Sequence, residues 1–202
     1  DMADNIVHIV LARLPGAPAG TKGISLFIVP KFNVNEDGSI GERNTVTCGS
    51  IEHKMGIKAS ATAVLNFDKA KGYLIGPENK GLNCMFTFMN TARIGTAIQG
   101  LTAAELAFQG GLSYAKDRLA MRALSGAKAP EQVADPIIVH PAVRNMVLTC
   151  KAFAEGGRAL VYYLSQFSDV VTKGEGETQA YADQMLSFLT PIAKAFLTET
   201  GY

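Results

Sequence analysis

The sequence predicts an α+β chain, with a β-rich segment over residues 1–75 and an antiparallel bundle of long helices over residues 79–202. Three observations predict it. Apolar, β-branched runs of strand length are confined to roughly the first seventy residues. The pattern changes abruptly at Gly76-Pro77. Beyond that point apolar residues recur at spacings of three and four, with little proline to interrupt them.

In chain order, residues 5–12 and 24–30 read as two strands, separated by the Pro/Gly-punctuated loop Pro15-Gly-Ala-Pro-Ala-Gly20. Residues 35–39, Asn-Glu-Asp-Gly-Ser, are a turn. Residues 45–48 and 62–67 give a third and fourth strand, with Met55-Gly56 marking the bend between them. Residues 82–119 contain no proline, and Leu82, Met85, Phe86, Met89, Ala92, Thr96 and Gly100 recur at helical spacing, so this span is one helix. At 1.5 Å per residue it is roughly 57 Å long, against a radius of gyration of ~17 Å for a compact chain of this size. A helix that outruns its own domain favours a homo-oligomer.

Residues 125–135 form a polar connection. Pro141 sits where a helix would start, because proline at the first helical position gives up no needed N–H. The helix that follows carries Val143, Met146, Val147, Cys150, Phe153, Ala154, Leu160, Val161 and Leu164 and is expected to fade over residues 166–176. Its Gly156-Gly157 pair costs about 1 kcal/mol per residue relative to alanine, which predicts a close helix approach. Residues 178–200 supply a third helix, kinked at Pro191. Short links between long helices imply an antiparallel arrangement.

Composition narrows the function. The 202 residues are 48% hydrophobic and 18% charged, enough for a packed core without disulfide or metal staples. Nineteen Lys+Arg against eighteen Asp+Glu leave a net charge of +1, with no basic concentration of the kind a nucleic-acid binder carries. Cys48, Cys84 and Cys150 match neither a disulfide framework nor zinc-ligand spacing and read as cytosolic thiols, and His8, His53 and His140 are scattered. No metal site is expected. No apolar run approaches the roughly 20 residues of a membrane span, and no signal peptide opens the chain, so a cytoplasmic location is expected.

Motifs that carry chemistry on their own are absent: there is no GxGxxG, no Walker loop and no legible nucleophile–base grouping. The informative charges lie on the long helix. Arg93 interrupts an apolar and small-residue stretch and must either snorkel to water or meet an anion. Arg118 ends Tyr114-Ala-Lys-Asp-Arg118, where a cation suits the negative end of the helix dipole or could bind an anion from elsewhere. Glu105, three turns past Arg93, reads as a solvated or subunit-contact residue, and His140 as a helix N-cap.

Taken together, the ordered segments Lys54-Met-Gly-Ile-Lys-Ala-Ser60, Tyr73-Leu-Ile-Gly-Pro-Glu-Asn-Lys-Gly-Leu82, Met89-Asn-Thr-Ala-Arg93, Gly100 and Tyr114-Ala-Lys-Asp-Arg118 resemble the flavin-dependent acyl-CoA dehydrogenases over the whole chain. The segments Ile51-Glu-His-Lys-Met-Gly56, Asp135-Pro-Ile-Ile-Val-His-Pro141 and Leu189-Thr-Pro-Ile-Ala-Lys194 resemble more specifically the large bacterial members, which include methylmercaptopropionyl-CoA and long-chain acyl-CoA dehydrogenases.

The resemblance implies the remainder of a middle β domain followed by a C-terminally truncated helical bundle. It implies FAD as cofactor, an acyl-CoA substrate and an electron-transfer flavoprotein or similar acceptor. The matching positions make Asn90 and Arg93 substrate-binding and assign Arg118 to the FAD of a neighbouring subunit. Met121-Arg122 stands where the family usually has Phe-Gly, and Ala92 stands where some members carry their catalytic glutamate. Other members place that base beyond a Gly-Gly-x-Gly segment that does not occur here, so no catalytic residue is assigned and the isolated chain is expected to be inactive. Two alternatives remain on the same fold: a non-catalytic oligomerisation module, and a flavin monooxygenase or oxidase.

Overall fold

The computed structural model describes residues 3–202. The chain divides into two compact units, Asp1–Thr87 and Phe88–Tyr202.

The first unit is built from seven strands, all paired antiparallel. Strand β1 (Val7–Arg13) pairs with β2 (Ile24–Pro30) in the register His8↔Val29 and Arg13↔Ile24. Hairpin β3–β4 (Phe32–Val34 and Ile40–Arg43) follows, then hairpin β5–β6 (Val46–Ile51 and Ala63–Phe67), and β7 (Tyr73–Ile75) returns to β2. The four expected strands are present as β1, β2, β5 and β6. The other three are only three or four residues long, too short for an alternation to register in the sequence. The turn between β3 and β4 is made as its residues dictate: Gly38 takes φ 82°, and Asp37 Oδ1 accepts the Ser39 N–H at 3.0 Å.

One side chain ties these pieces together. Asn44 is 5% exposed and uses its full amide: Nδ2 donates to the carbonyls of Pro30 and Lys71, and Oδ1 accepts the N–H groups of Thr45 and Lys71. It thereby joins the end of β2 to the segments that lead into β5 and β7. Gly81 lies against the Ser25 and Leu26 backbone, where any Cβ would overlap main-chain atoms. Ser25 Oγ in turn accepts the Asn79 N–H at 2.8 Å.

The second unit holds most of α1 (Gly81–Asp117), all of α2 (Pro141–Lys173) and all of α3 (Gly176–Thr200). Buried residues recur at three and four on each helix: Ile94, Ala97, Leu101 and Ala104; Ala154, Gly157, Val161 and Leu164; Ala182, Leu186, Thr190, Ala193 and Leu197. They meet in two layers, one of Ile94, Leu164, Leu186 and Ala193 and one of Ala97, Leu101, Val161 and Leu197. The order of these partners runs α2 antiparallel to both α1 and α3.

Helix α2 does not fade at residue 166. Phe167 and Val171 continue the buried stripe by packing on the first layer, so the polar residues between them face outward and the helix runs to Lys173. Helix α3 likewise continues across Pro191, where the missing N–H leaves the Ser187 carbonyl without its usual donor.

The close approach expected at Gly156-Gly157 falls on one residue of the pair. A Cβ on Gly157 would lie 2.7 Å from Leu197 Cδ2 and 3.2 Å from Leu101 Cδ1, whereas one on Gly156 would meet nothing within 4 Å. The tightest crossing is at Gly100, whose α-carbon faces the Leu197 carbonyl so closely that no side chain fits. Gly100→Ala is therefore expected to lower unfolding stability by about 1–3 kcal/mol through backbone displacement. Gly156→Ala should raise it by about 0.5–1 kcal/mol, since that site is open and helical. Urea unfolding of the two variants checks both signs.

Candidate functional site

Asn90 and Arg93 lie on α1, three residues apart and so on adjacent turns of one face, and both are half-buried. The next residue, Ile94, is already in the helical core at 8% exposure. The two polar side chains thus sit at the edge of the bundle's apolar seam. Ala92 before them is exposed and carries no proton acceptor.

Arg118 is the first residue past α1. Its N–H donates to the Tyr114 carbonyl at 2.8 Å, which completes the last turn, and its carbonyl accepts the Ile137 N–H at 2.8 Å. The side chain is exposed and makes no hydrogen bond or ion pair among the described residues. Along the helix, 25 residues separate it from Arg93, which is roughly 37 Å of rise. The structure therefore brings Asn90 and Arg93 together and keeps Arg118 apart, at the other end of the same rod. An apolar groove of about 210 Å³ runs between α1 and α2, lined by Phe108, Tyr114, Ile137, Met146 and Cys150 among others.

The connection after α1 holds a charge pair that sequence reasoning missed. Asp135 is fully buried, and its carboxylate accepts the N–H groups of Ala123 (2.9 Å), Lys128 (2.9 Å) and Ala129 (2.8 Å) and an N–H of Arg122 (3.1 Å). Arg122 also donates to the carbonyls of Ala129 and Gln132. The Ala123 N–H foremost, then those of Ala129 and Lys128 and the guanidinium, hold the Asp135 carboxyl far below its ordinary value of 3.8, against the opposing effect of burial. One signal for it was present: an arginine inside a Gly/Pro/Ala-rich loop calls for a nearby carboxylate. Residues 118–121 pair with 135–137, through Ala120 N–H to the Asp135 carbonyl (3.0 Å) and Asp135 N–H to the Met121 carbonyl (2.9 Å).

Two side chains differ from expectation. Glu105 is not simply solvated: Oε2 accepts Arg158 Nη2 of α2 at 2.6 Å and Oε1 accepts Gln109 Nε2 at 2.6 Å. The Gln109 hydrogen bond, then the Arg158 hydrogen bond and charge, lower its carboxyl below its ordinary value. His140 does occupy the N-cap position of α2, but its ring does not cap the helix; Nε2 instead meets the Ala120 carbonyl at 2.9 Å. Among the described residues no three His, Cys, Asp or Glu side chains converge on a metal position, and no helix is long and apolar enough to cross a membrane.

Over 199 residues the chain is 48% identical to 3-methylmercaptopropionyl-CoA dehydrogenase of Ruegeria pomeroyi, covering 98% of this chain and 33% of that protein. It is 40% identical to a butyryl-CoA dehydrogenase of Syntrophomonas wolfei, covering 100% of this chain and 34% of the relative. The chain belongs to the acyl-CoA dehydrogenase family. It spans about a third of the length of these acyl-CoA dehydrogenases. The fold agrees: Caenorhabditis elegans ACDH-11, solved in complex with C11-CoA, superposes with a TM-score of 0.77 over 96% of this chain and 30% of its own, at 20% identity. No family model matches the chain.

Asp135 yields a pH-dependent expectation. Because its folded-state pKa is depressed, the stability it contributes is present above 3.8 and is lost as pH falls from there toward the folded-state value. Asp135→Asn should therefore lower the melting temperature by a constant amount between about pH 5 and 8, with the gap to the unmodified chain closing below about pH 4. Thermal melts across that range check it.

Proposed function

We propose that this chain supplies part of the substrate- and cofactor-facing structure of an FAD-dependent acyl-CoA dehydrogenase, which introduces an α,β double bond into an acyl-CoA thioester. The observation that carries the proposal is the 48% identity over nearly the whole chain. The half-buried pair Asn90 and Arg93 on one face of α1 supports it. An arginine at the edge of an apolar seam suits a ligand that is anionic at one end and apolar at the other, as an acyl-CoA is.

FAD is the cofactor this reading requires, and when bound it supplies the acceptor for the β-hydride. The donor set at Arg118 fits it. The guanidinium is exposed and uncommitted, and its planar fork of N–H groups matches the two oxygens of a phosphate. The wide separation from Arg93 suits service to the FAD of a neighbouring subunit. Asn90 and Arg93 hold and orient the CoA portion of the substrate; Arg118 holds the pyrophosphate.

Removal of the α-proton needs a carboxylate that these residues do not provide. Ala92 has none, and Glu105 is three turns away and committed to Gln109 and Arg158. General-base catalysis is worth about 10²- to 10⁴-fold, so the 202-residue chain by itself is expected to show no dye-linked oxidation of short- or long-chain acyl-CoAs and to purify without flavin absorbance. In the full-length protein, Arg93→Ala should weaken acyl-CoA handling more than Arg118→Ala does. Arg118→Ala should cost flavin retention instead. Turnover by the isolated chain, or flavin loss confined to Arg93→Ala, would reverse these assignments. An electron-transfer flavoprotein or similar acceptor takes the electrons onward.

Self-association belongs to the same proposal. Helix α1 carries apolar side chains on more than its core face: Ile94, Ala97 and Leu101 are buried while Phe88, Ile98, Leu106 and Tyr114 remain exposed. Large apolar side chains left exposed along a helix call for a neighbour to cover them. Sedimentation should give a dimer or larger; an ordered, strictly monomeric species at micromolar concentration would contradict it.

A further inference from the structure

We propose that the Arg122–Asp135 pair is a positioning device for Arg118, fixing the backbone that presents this guanidinium to the FAD pyrophosphate; the proposal rests on the reading of Arg118 given above. Between Leu119 and Pro136 only Ala123 and Asp135 are buried. The large apolar side chains of this lobe, Met121, Leu124 and Val133, are 79%, 104% and 92% exposed, so no apolar core shapes it. What shapes it is the carboxylate. Oδ1 gathers the N–H groups of Lys128 and Ala129 with Nη1 of Arg122, and Oδ2 takes the Ala123 N–H.

The same residue reaches Arg118 through the backbone. Asp135 pairs by its own N–H and carbonyl with Met121 and Ala120, and two residues further on the Ile137 N–H closes on the Arg118 carbonyl. His140 adds a second pin at the Ala120 carbonyl. The end of a helix ordinarily frays; here Arg118, the residue that follows it, is held on both sides, at Tyr114 and at Ile137, while its side chain stays uncommitted. Ordering the carrier before the ligand arrives lowers the cost of binding. Met121, with φ 60°, and Arg122 replace the family's usual Phe-Gly. An anchor made of charge and backbone bonds is proposed to do here what that dipeptide does elsewhere.

The test is FAD titration of the apo-form of the full-length protein by flavin fluorescence, in a double-mutant cycle of Asp135→Ala with Arg118→Ala. Arg118→Ala alone is expected to raise the FAD Kd at least about tenfold, the weight of a charge-assisted contact. Asp135→Ala is expected to raise it comparably, and the double variant should bind within about twofold of Arg118→Ala alone. A merely structural role would instead make the two effects multiply. Arg122→Gln leaves the three backbone donors on the carboxylate and guards against a variant that does not fold. It should give an intermediate loss that also vanishes in the Arg118→Ala background. Multiplying effects, or unchanged FAD affinity in both Asp135→Ala and Arg122→Gln, would overturn the proposal. If Arg118→Ala itself leaves the affinity unchanged, the reading of Arg118 fails first and takes the proposal with it.

Discussion

Thirty-seven residues of unbroken helix in α1 set the distances on which the candidate site depends. With 1.5 Å of rise per residue, Arg93 and Arg118 are separated by roughly 37 Å, too far for the two guanidinium groups to serve one reacting centre. A rigid rod that carries one cation near its N-terminal third and another at its C-terminal end therefore addresses two different places. That length is compatible with the proposed division of labour, substrate at Asn90 and Arg93 and cofactor at Arg118. Phe88, Ile98, Leu106 and Tyr114 of the same rod stay exposed, because the two helices beside it cover only part of its apolar surface.

The rod is held in the bundle by the absence of side chains at a few points. Gly100 of α1 lies against the Leu197 carbonyl of α3, Gly201 closes on the Gly100 backbone, and Gly157 of α2 makes room for the Leu197 side chain. Each helical glycine costs about 0.8–1 kcal/mol against alanine, and at these crossings van der Waals contact over two helix faces offsets it. Gly95, Gly110, Gly111 and Gly156 are different, with nothing within 4 Å of where a Cβ would stand. Their smallness serves no contact inside this protomer.

What could be read from the sequence was what repeats locally. Apolar residues three and four apart gave all three helices, and the β-branched runs gave β1, β2, β5 and β6. The buried face of α1 was not read: of the expected stripe Leu82, Met85, Phe86, Met89, Ala92, Thr96 and Gly100 only Gly100 is buried, the core line running instead through Ile94, Ala97, Leu101 and Ala104. Strands β3, β4 and β7 escaped because three or four residues cannot display a period; they exist because Asn44 fastens the segments that flank them. The end of α2 was misjudged because Phe167 and Val171 are diluted by Gln166, Ser168 and Asp169, although spacing alone keeps them on the buried face. Pairings that join distant residues are not specified by any local period. Glu105 and Arg158 are 53 residues apart and Arg122 and Asp135 are 13 apart, yet both pairs are direct contacts. In the candidate site, composition and spacing singled out Arg93 and Arg118, while the group that organises the ground around Arg118 was visible only in three dimensions.

The pairing of Arg122 with Asp135 also leaves Arg118 as the exposed, uncommitted arginine of the two. Two guanidinium groups, Arg118 and Arg122, lie within five residues of the end of α1, and one buried carboxylate lies across the ladder from them. Had Asp135 taken Arg118, the exposed cation would have been Arg122, on a lobe with no apolar core of its own. Instead the carboxylate takes Arg122, which is 39% exposed and spends its other donors on the Ala129 and Gln132 carbonyls. A buried ion pair gains little net stability unless its remaining hydrogen-bonding capacity is filled, and here three backbone N–H groups fill it. The charge of Asp135 is thus compensated locally, and the positive field at the end of α1 remains with Arg118, on the one residue of the lobe whose main chain is continuous with the helix.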